Sequence, residues 1–123
     1  MGFMKALFDT NILIDYLNGV EKAREELLRY EQRFISPITW MEVMVGVQKE
    51  NETVVRKFLA TFEQVVINQD VAERAVGIRR NNRIRLPDAI IWASAHVKNA
   101  LLVTRNVKDF PPGEPGVRIP YTV

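Results

Sequence analysis

The sequence predicts an α/β domain with a mainly parallel sheet. Two patterns predict the class. Short apolar runs alternate with longer stretches of helical periodicity, the signature of successive βαβ units. One helical stretch, Leu86 to Val97, is apolar almost all round, as a central, buried element would be.

Met4-Lys5-Ala6-Leu7-Phe8 is a short apolar run ending at Asp9 and reads as a buried strand. Thr10 is placed to cap a helix from Asn11 to Leu17, closed by Asn18-Gly19. Val20 to Tyr30 is charge-rich, with Ala23, Leu27 and Tyr30 at helical spacing, so an exposed-faced helix follows. Arg33-Phe34-Ile35 is the second expected strand. Ser36-Pro37 then offers an N-cap and a proline at the first helical position, for a helix reaching about Lys49. Helices are expected over Thr53 to Phe62 and Asp70 to Asn81, with a strand at Val65-Val66-Ile67 between them. Leu86-Pro87-Asp88 opens the apolar helix. Strands at Leu101 to Val103 and Val117 to Ile119 complete the pattern, joined through a turn region from Pro111 to Gly116.

Bulk properties exclude several classes. At 123 residues the chain is expected to form one domain, large enough to bury a core without staples. Apolar residues at 47% and charged residues at 26% argue against disorder. The absence of cysteine excludes disulfides, cysteine nucleophiles and thiolate metal sites. Lys5, Asp9 and Asp15 interrupt the apolar amino-terminal run, which argues against a signal peptide or membrane span. A cytoplasmic protein is the resulting expectation. A net charge of +2 is too small to imply nucleic-acid binding, but Arg79, Arg80, Arg83 and Arg85 concentrate positive charge within seven positions.

The informative residues are four carboxylates. Asp9 stands where a buried strand hands over to a helix, and ligands of open α/β sheets bind outside the carboxyl ends of strands. Glu42 lies in a helix between Ile38 and Val45, an apolar side where burying a charge is costly unless it is paired or bound to metal. Asp88 opens the most hydrophobic helix, and Asp109 follows the strand at Leu101 to Val103. Singly, each has an ordinary explanation: a turn acceptor, an ion pair, a helix-dipole partner or a loop acid. Jointly, carboxylates converging on one sheet edge repel each other, and a hard divalent cation relieves that repulsion. Oxygen-only ligation favours Mg²⁺ or Mn²⁺.

These motifs resemble those of PIN-domain ribonucleases, and among them VapC-type toxins. Ala6 to Leu17 resembles the family's opening motif, an acid followed by Thr-Asn. Ser36 to Val43 resembles the second, Leu86 to Ala95 the third and Leu102 to Phe110 the fourth. The match runs in order over nearly the whole chain. The resemblance implies a three-layer fold, a mainly parallel sheet of four to five strands flanked by helices, together with Mg²⁺-dependent cleavage of RNA that leaves 5′-phosphate and 3′-hydroxyl ends, a homodimer, and inhibition by a VapB-like antitoxin. It implies that Asp9, Glu42, Asp88 and Asp109 are the catalytic and metal-binding acids, holding one or two ions. Family members carry the last acid where either Asn106 or Asp109 stands here. Asp109 is taken as that acid, supported by Asn11, Thr104 and Asn106.

Other residues keep two readings. Arg79, Arg80, Arg83 and Arg85 either track an RNA backbone or form a basic face, solvated or turned to the antitoxin. Trp40, Met41 and Met44 are core residues or line a partner groove. His96 is read as a helix-face residue, since metal-activated water needs no histidine base. A phosphorelay receiver domain has this length and an acidic Mg²⁺ pocket. It needs paired acids after its first strand, where this chain has Asp9-Thr10-Asn11. A PIN-fold RNA-processing nuclease and a non-catalytic PIN-fold binding module are the remaining alternatives.

Overall fold

The computed structural model describes residues 5–111 and 113–123. Met4, at the start of the expected first strand, and Pro112, in the expected turn region, lie outside them. The elements run β1 (Lys5–Phe8), α1 (Thr10–Leu17), α2 (Glu21–Leu28), β2 (Gln32–Ile35), α3 (Pro37–Val45) and α4 (Glu52–Leu59). They continue with β3 (Glu63–Gln64), α5 (Gln69–Asn81), α6 (Leu86–Val97), β4 (Leu101–Val103) and β5 (Val117–Arg118). All five strands pair in parallel, in the order β3-β2-β1-β4-β5. Among the described residues no helix is long and apolar enough to cross a membrane.

The period-2 geometry of the central strands creates the three layers. Ala6 and Phe8 of β1, Ile35 of β2, and Leu101 and Val103 of β4 face a core completed by α1, α2, α3 and α4. Leu7, Phe34 and Leu102 face the opposite core, against α5 and α6. Phe8 anchors the first core with edge-on contacts to Tyr30 at 5.7 Å and Phe62 at 5.9 Å. Helix α6 buries Ala89 and Ile91 through Ala95, as its unbroken apolar composition predicts.

Several boundaries differ from expectation. Thr10 is the first residue of α1, not its cap; Asp9 is the cap, its side chain accepting the Thr10 N–H. Helix α3 stops at Val45, where Gly46 takes the C-cap, and a 3-10 turn over Lys49–Asn51 leads into α4. Helix α4 ends at Leu59, three residues before the expected Phe62. The β-branched run Val65-Val66-Ile67 is not a strand, despite its propensity. The edge strand precedes it at Glu63–Gln64, and Val65 adds one hydrogen bond to Ile35. Val66 and Ile67 then turn to solvent so that Asn68 can cap α5.

Sheet order also decides where a ligand can sit. From β1 the chain builds outward through β2 to β3, whereas β4 and β5 lie on the other side of β1. The order therefore reverses between β1 and β4. A crevice opens beyond the carboxyl ends of strands at such a switch point.

Candidate active site

Asp9 and Thr104 each follow a strand directly, and those strands pair Phe8 with Val103. The two side chains consequently meet at the switch point. Thr104 Oγ1 donates to Asp9 Oδ2 at 2.7 Å, and Asn11 Nδ2 donates to the same oxygen at 3.2 Å. The Thr10 N–H binds Oδ1 at 2.8 Å. Asp9 is buried, and that burial raises its pKa against the opposing pull of the Thr104 and Thr10 hydrogen bonds; the charge of Glu42 raises it further.

Glu42 reaches this centre from α3. The Thr10 hydroxyl donates to Glu42 Oε1 at 2.5 Å and lies 3.1 Å from the hydroxyl of buried Thr39. The expectation that Glu42 occupies an apolar, burial-prone helix side is wrong: Glu42 is exposed and Val45 is 87% exposed. Its i+3 neighbour lies near the end of α3, beyond the packed part of the helix. Glu42 is held by Thr10 in a solvated position.

Asp88 sits in the first turn of α6, behind Pro87. Its Oδ2 is buried without a hydrogen-bond partner, and the nearest cation, Arg85 Nε, is 3.8 Å away across a weak ion pair. Burial, followed by the charges of Asp9 and Asp109, pushes its pKa up to about 6. Asp109 closes the row from the loop after β4. Asn106 Nδ2 donates to Asp109 Oδ2 at 2.9 Å, and Asn106 Oδ1 accepts the Asp109 N–H at 3.2 Å. Asn106 thus holds Asp109, and its own N–H is fixed by Thr104 Oγ1 at 3.0 Å.

The acids form a chain of electrostatic neighbours, with Glu42 beside Asp9, Asp9 beside Asp88 and Asp88 beside Asp109. Among the described residues no three of them are grouped closely enough to hold one metal ion together. The donor set still suits a hard cation, since Mg²⁺ commonly takes one or two carboxylates and keeps several waters. The orphaned, proton-hungry oxygen of Asp88 is the local observation that fits such an ion.

Of the four arginines, Arg79, Arg83 and Arg85 line one cleft beside Asn106 and Asp109. Arg80 does not. One residue on in a helix is about 100° round its axis, and Arg80 faces Gln69, Glu73 and Gly77 instead. Lys108, which clustering along the chain does not single out, joins the cleft. Trp40 and Met44 are part-buried against the core, while Met41 is 48% exposed. His96 lies on the α6 face beside the Trp92 ring, at 5.8 Å.

A further network is not apparent from the sequence. Arg105 grips buried Asp15 through Nε at 2.6 Å and Nη2 at 3.0 Å, and Tyr121 donates to Asp15 at 2.9 Å. The Arg105 N–H meets Asn11 Oδ1 at 3.1 Å. This cluster ties α1, the Asp109 loop and the chain end together beneath the acids. The one available signal was an acid at Asp15 within an otherwise apolar helix.

Comparison with known proteins is in keeping with this architecture. Ribonuclease VapC10 of Mycobacterium tuberculosis is 33% identical over 113 residues, covering 85% of each chain. A chain of a toxin-antitoxin complex from Klebsiella pneumoniae is 50% identical with a TM-score of 0.91, covering 96% of this chain and 99% of that one. A chain of the DNA-bound VapBC from Salmonella typhimurium is 28% identical with a TM-score of 0.77, covering 94% and 96%. Residues 6–111 match the PIN domain family. With that match over most of its length, and with VapC relatives of this similarity, the chain belongs to the PIN-domain family.

Proposed function

We propose that the protein is a Mg²⁺-dependent endoribonuclease, the toxin of a VapBC-type pair. The observation that carries this reading is the row of four acids at the switch point, with the buried Asp88 Oδ2 lacking a hydrogen-bond partner. Asp9 and Asp88 would hold the ion, with Asp109 and Glu42 reaching it through its waters. Bound there, Mg²⁺ (or Mn²⁺) supplies an activated water and neutralises charge developing on phosphate oxygens.

The chain's own residues prepare the site. Thr104 and Asn11 fix Asp9 Oδ2 and the Thr10 N–H fixes Oδ1, so the carboxylate is held in one orientation. Thr10 holds Glu42, and Asn106 holds Asp109. Orientation of this kind limits the reorganisation needed when a charged substrate arrives. The relatives' names supply the substrate class and the antitoxin partner, and a homodimer in the cytoplasm belongs to the same reading.

The test is cleavage of a panel of structured RNAs by antitoxin-free protein with Mg²⁺, with EDTA, and with Asp9→Asn or Asp88→Asn. Cleavage that disappears under chelation and in both variants is the expected result. Absence of cleavage by folded wild type with either Mg²⁺ or Mn²⁺ would overturn it in favour of a binding module.

A further inference from the structure

The two flanks of the acidic centre differ in chemistry. On the Asp109 side, Arg79, Arg83, Arg85 and Lys108 line a cleft of about 720 Å³ with Asn106 and Asp109. Four cations face the single carboxylate of Asp109, a local excess of three. On the Glu42 side lies a groove of about 670 Å³ whose walls include Ile14, Leu17 and Val54 and no lysine or arginine.

The basic flank gathers several cations without ion pairs in one cleft. Some helix cations, Arg24, Arg56 and Arg74, are matched to an acid one turn away, while Lys22, Lys57 and Arg80 stand singly without an ion pair among the described residues. Arg79, Arg83 and Lys108 are exposed and make no ion pair among the described residues. Like charges gathered without counterions repel, which costs the free protein stability and favours a polyanion. Guanidinium groups suit phosphate in particular, because their planar fork matches its oxygens.

We propose that this cleft is a phosphate subsite for the RNA strand on one side of the cleavage centre. Arg79, Arg83 and Lys108 take backbone phosphates next to the scissile one, and Arg85 links the cleft to Asp88. The proposal rests on the nuclease reading of the acids and adds the direction in which the strand's backbone leaves them. Contacts to phosphate carry no base information, so the subsite contributes affinity and register rather than sequence choice. Arg80, beside Glu73 on another face, has no part in it.

Binding of a short unstructured RNA in EDTA, followed by fluorescence anisotropy across a salt series, tests this. Arg83→Gln and Lys108→Gln are expected to weaken binding roughly three- to tenfold and to flatten the log K against log salt slope by about 0.7 for each phosphate left unneutralised. Arg80→Gln should match wild type. These side chains are exposed, and thermal melts establish that each variant is folded. If Arg83→Gln and Lys108→Gln bind RNA as Arg80→Gln does while wild type still cleaves with Mg²⁺, the subsite is wrong and the nuclease reading stands. If they lose affinity only for an acidic antitoxin segment, the cleft is a protein-binding surface and the proposal is overturned. Wild type that neither binds nor cleaves RNA removes both.

Discussion

The hydroxyl of Thr104 donates to Asp9 Oδ2 at 2.7 Å, joining the ends of the two strands between which the sheet order reverses. Thr104 Oγ1 also accepts the Asn106 N–H at 3.0 Å and lies 3.3 Å from Asn11 Nδ2. Its one proton and both lone pairs are therefore occupied. Thr104→Val keeps the shape but removes the donor and leaves the Asn106 N–H without its acceptor. A stability loss of about 1–3 kcal/mol follows from an unsatisfied buried group, with a fall in RNA cleavage of roughly ten- to a hundredfold through misdirected Asp9 and Asp109. Thr104→Ser should recover most of both. Urea melts and initial cleavage rates measure them, and a fully active, fully stable valine variant would remove Thr104 from the site.

Asp88 gives a prediction with the opposite sign for stability. Burial, then the charges of Asp9 and Asp109, raises its pKa from 3.8 to about 6. The folded state thus holds the Asp88 proton more tightly than the unfolded state does. That contribution is fully present below the unfolded value and is lost as pH rises through the folded one. In metal-free protein Asp88→Asn should therefore stabilise at neutral pH, by up to roughly 3 kcal/mol at 1.36 kcal/mol per pKa unit. The gain should shrink towards zero as pH falls to the ordinary aspartate range, while cleavage is abolished throughout. Urea melts in EDTA at acid and neutral pH separate the two effects. A variant less stable than wild type at neutral pH contradicts the account of Asp88 as an acid whose charge is disfavoured by burial and by Asp9 and Asp109.

Asp9 and Asp88 were legible because a carboxylate is conspicuous among apolar neighbours, whereas the same argument misplaced the exposed Glu42. Asp9 after Ala6-Leu7-Phe8 and Asp88 ahead of Ala89-Ile90-Ile91 are costly there unless something uses them. The layered fold was legible too, since β1, β2, β4 and α6 each combine a buried run with a sharp boundary. Edge features were not. β3 has two exposed residues and one neighbouring strand, so it carries almost no apolar signal. Long-range partners were hidden for a different reason. Asp15 meets Arg105 across 90 positions and Tyr121 across 106, and only the finished topology makes them neighbours. The split of Arg79 from Arg80 likewise needs the helix phase, which clustering along the chain does not contain.

That hidden network should be one of the stronger restraints on the Asp109 loop. Asp15 is buried, and Arg105 meets it with two parallel hydrogen bonds while its main chain is held by Asn11. Removing one partner of a buried pair leaves an uncompensated charge, which costs about 3–5 kcal/mol when burial is complete. Arg105 is 29% exposed, so solvent screening should bring the cost of Arg105→Met below that range, to about 2–3 kcal/mol. Arg105→Lys should rescue only part, lacking the planar fork. A double-mutant cycle with Asp15→Asn should show coupling above about 1 kcal/mol, roughly twice that of an exposed pair; additive costs would mean that the pairing is incidental.

Metal binding should follow the proton on Asp88. At neutral pH the folded protein gathers Asp9, Asp88 and Asp109 at the crevice, and among the described residues the one ion pair any of the three makes is the 3.8 Å contact of Arg85 with Asp88. Mg²⁺ at tenfold its dissociation constant should add about 1.4 kcal/mol, or roughly 5 °C in Tm for a domain of this size. Protons compete for the same oxygen, so the increment should fade as pH drops through about 6, where Asp88 takes up its proton. Asp88→Asn should lose the increment at every pH. Glu42→Gln should keep part of it, because Glu42 is exposed and anchored by Thr10 rather than buried among the other acids. Thermal melts with and without Mg²⁺ across this range decide the matter. A Mg²⁺ increment that does not change with pH and survives Asp88→Asn would place the ion on other ligands and remove Asp88 from the metal site.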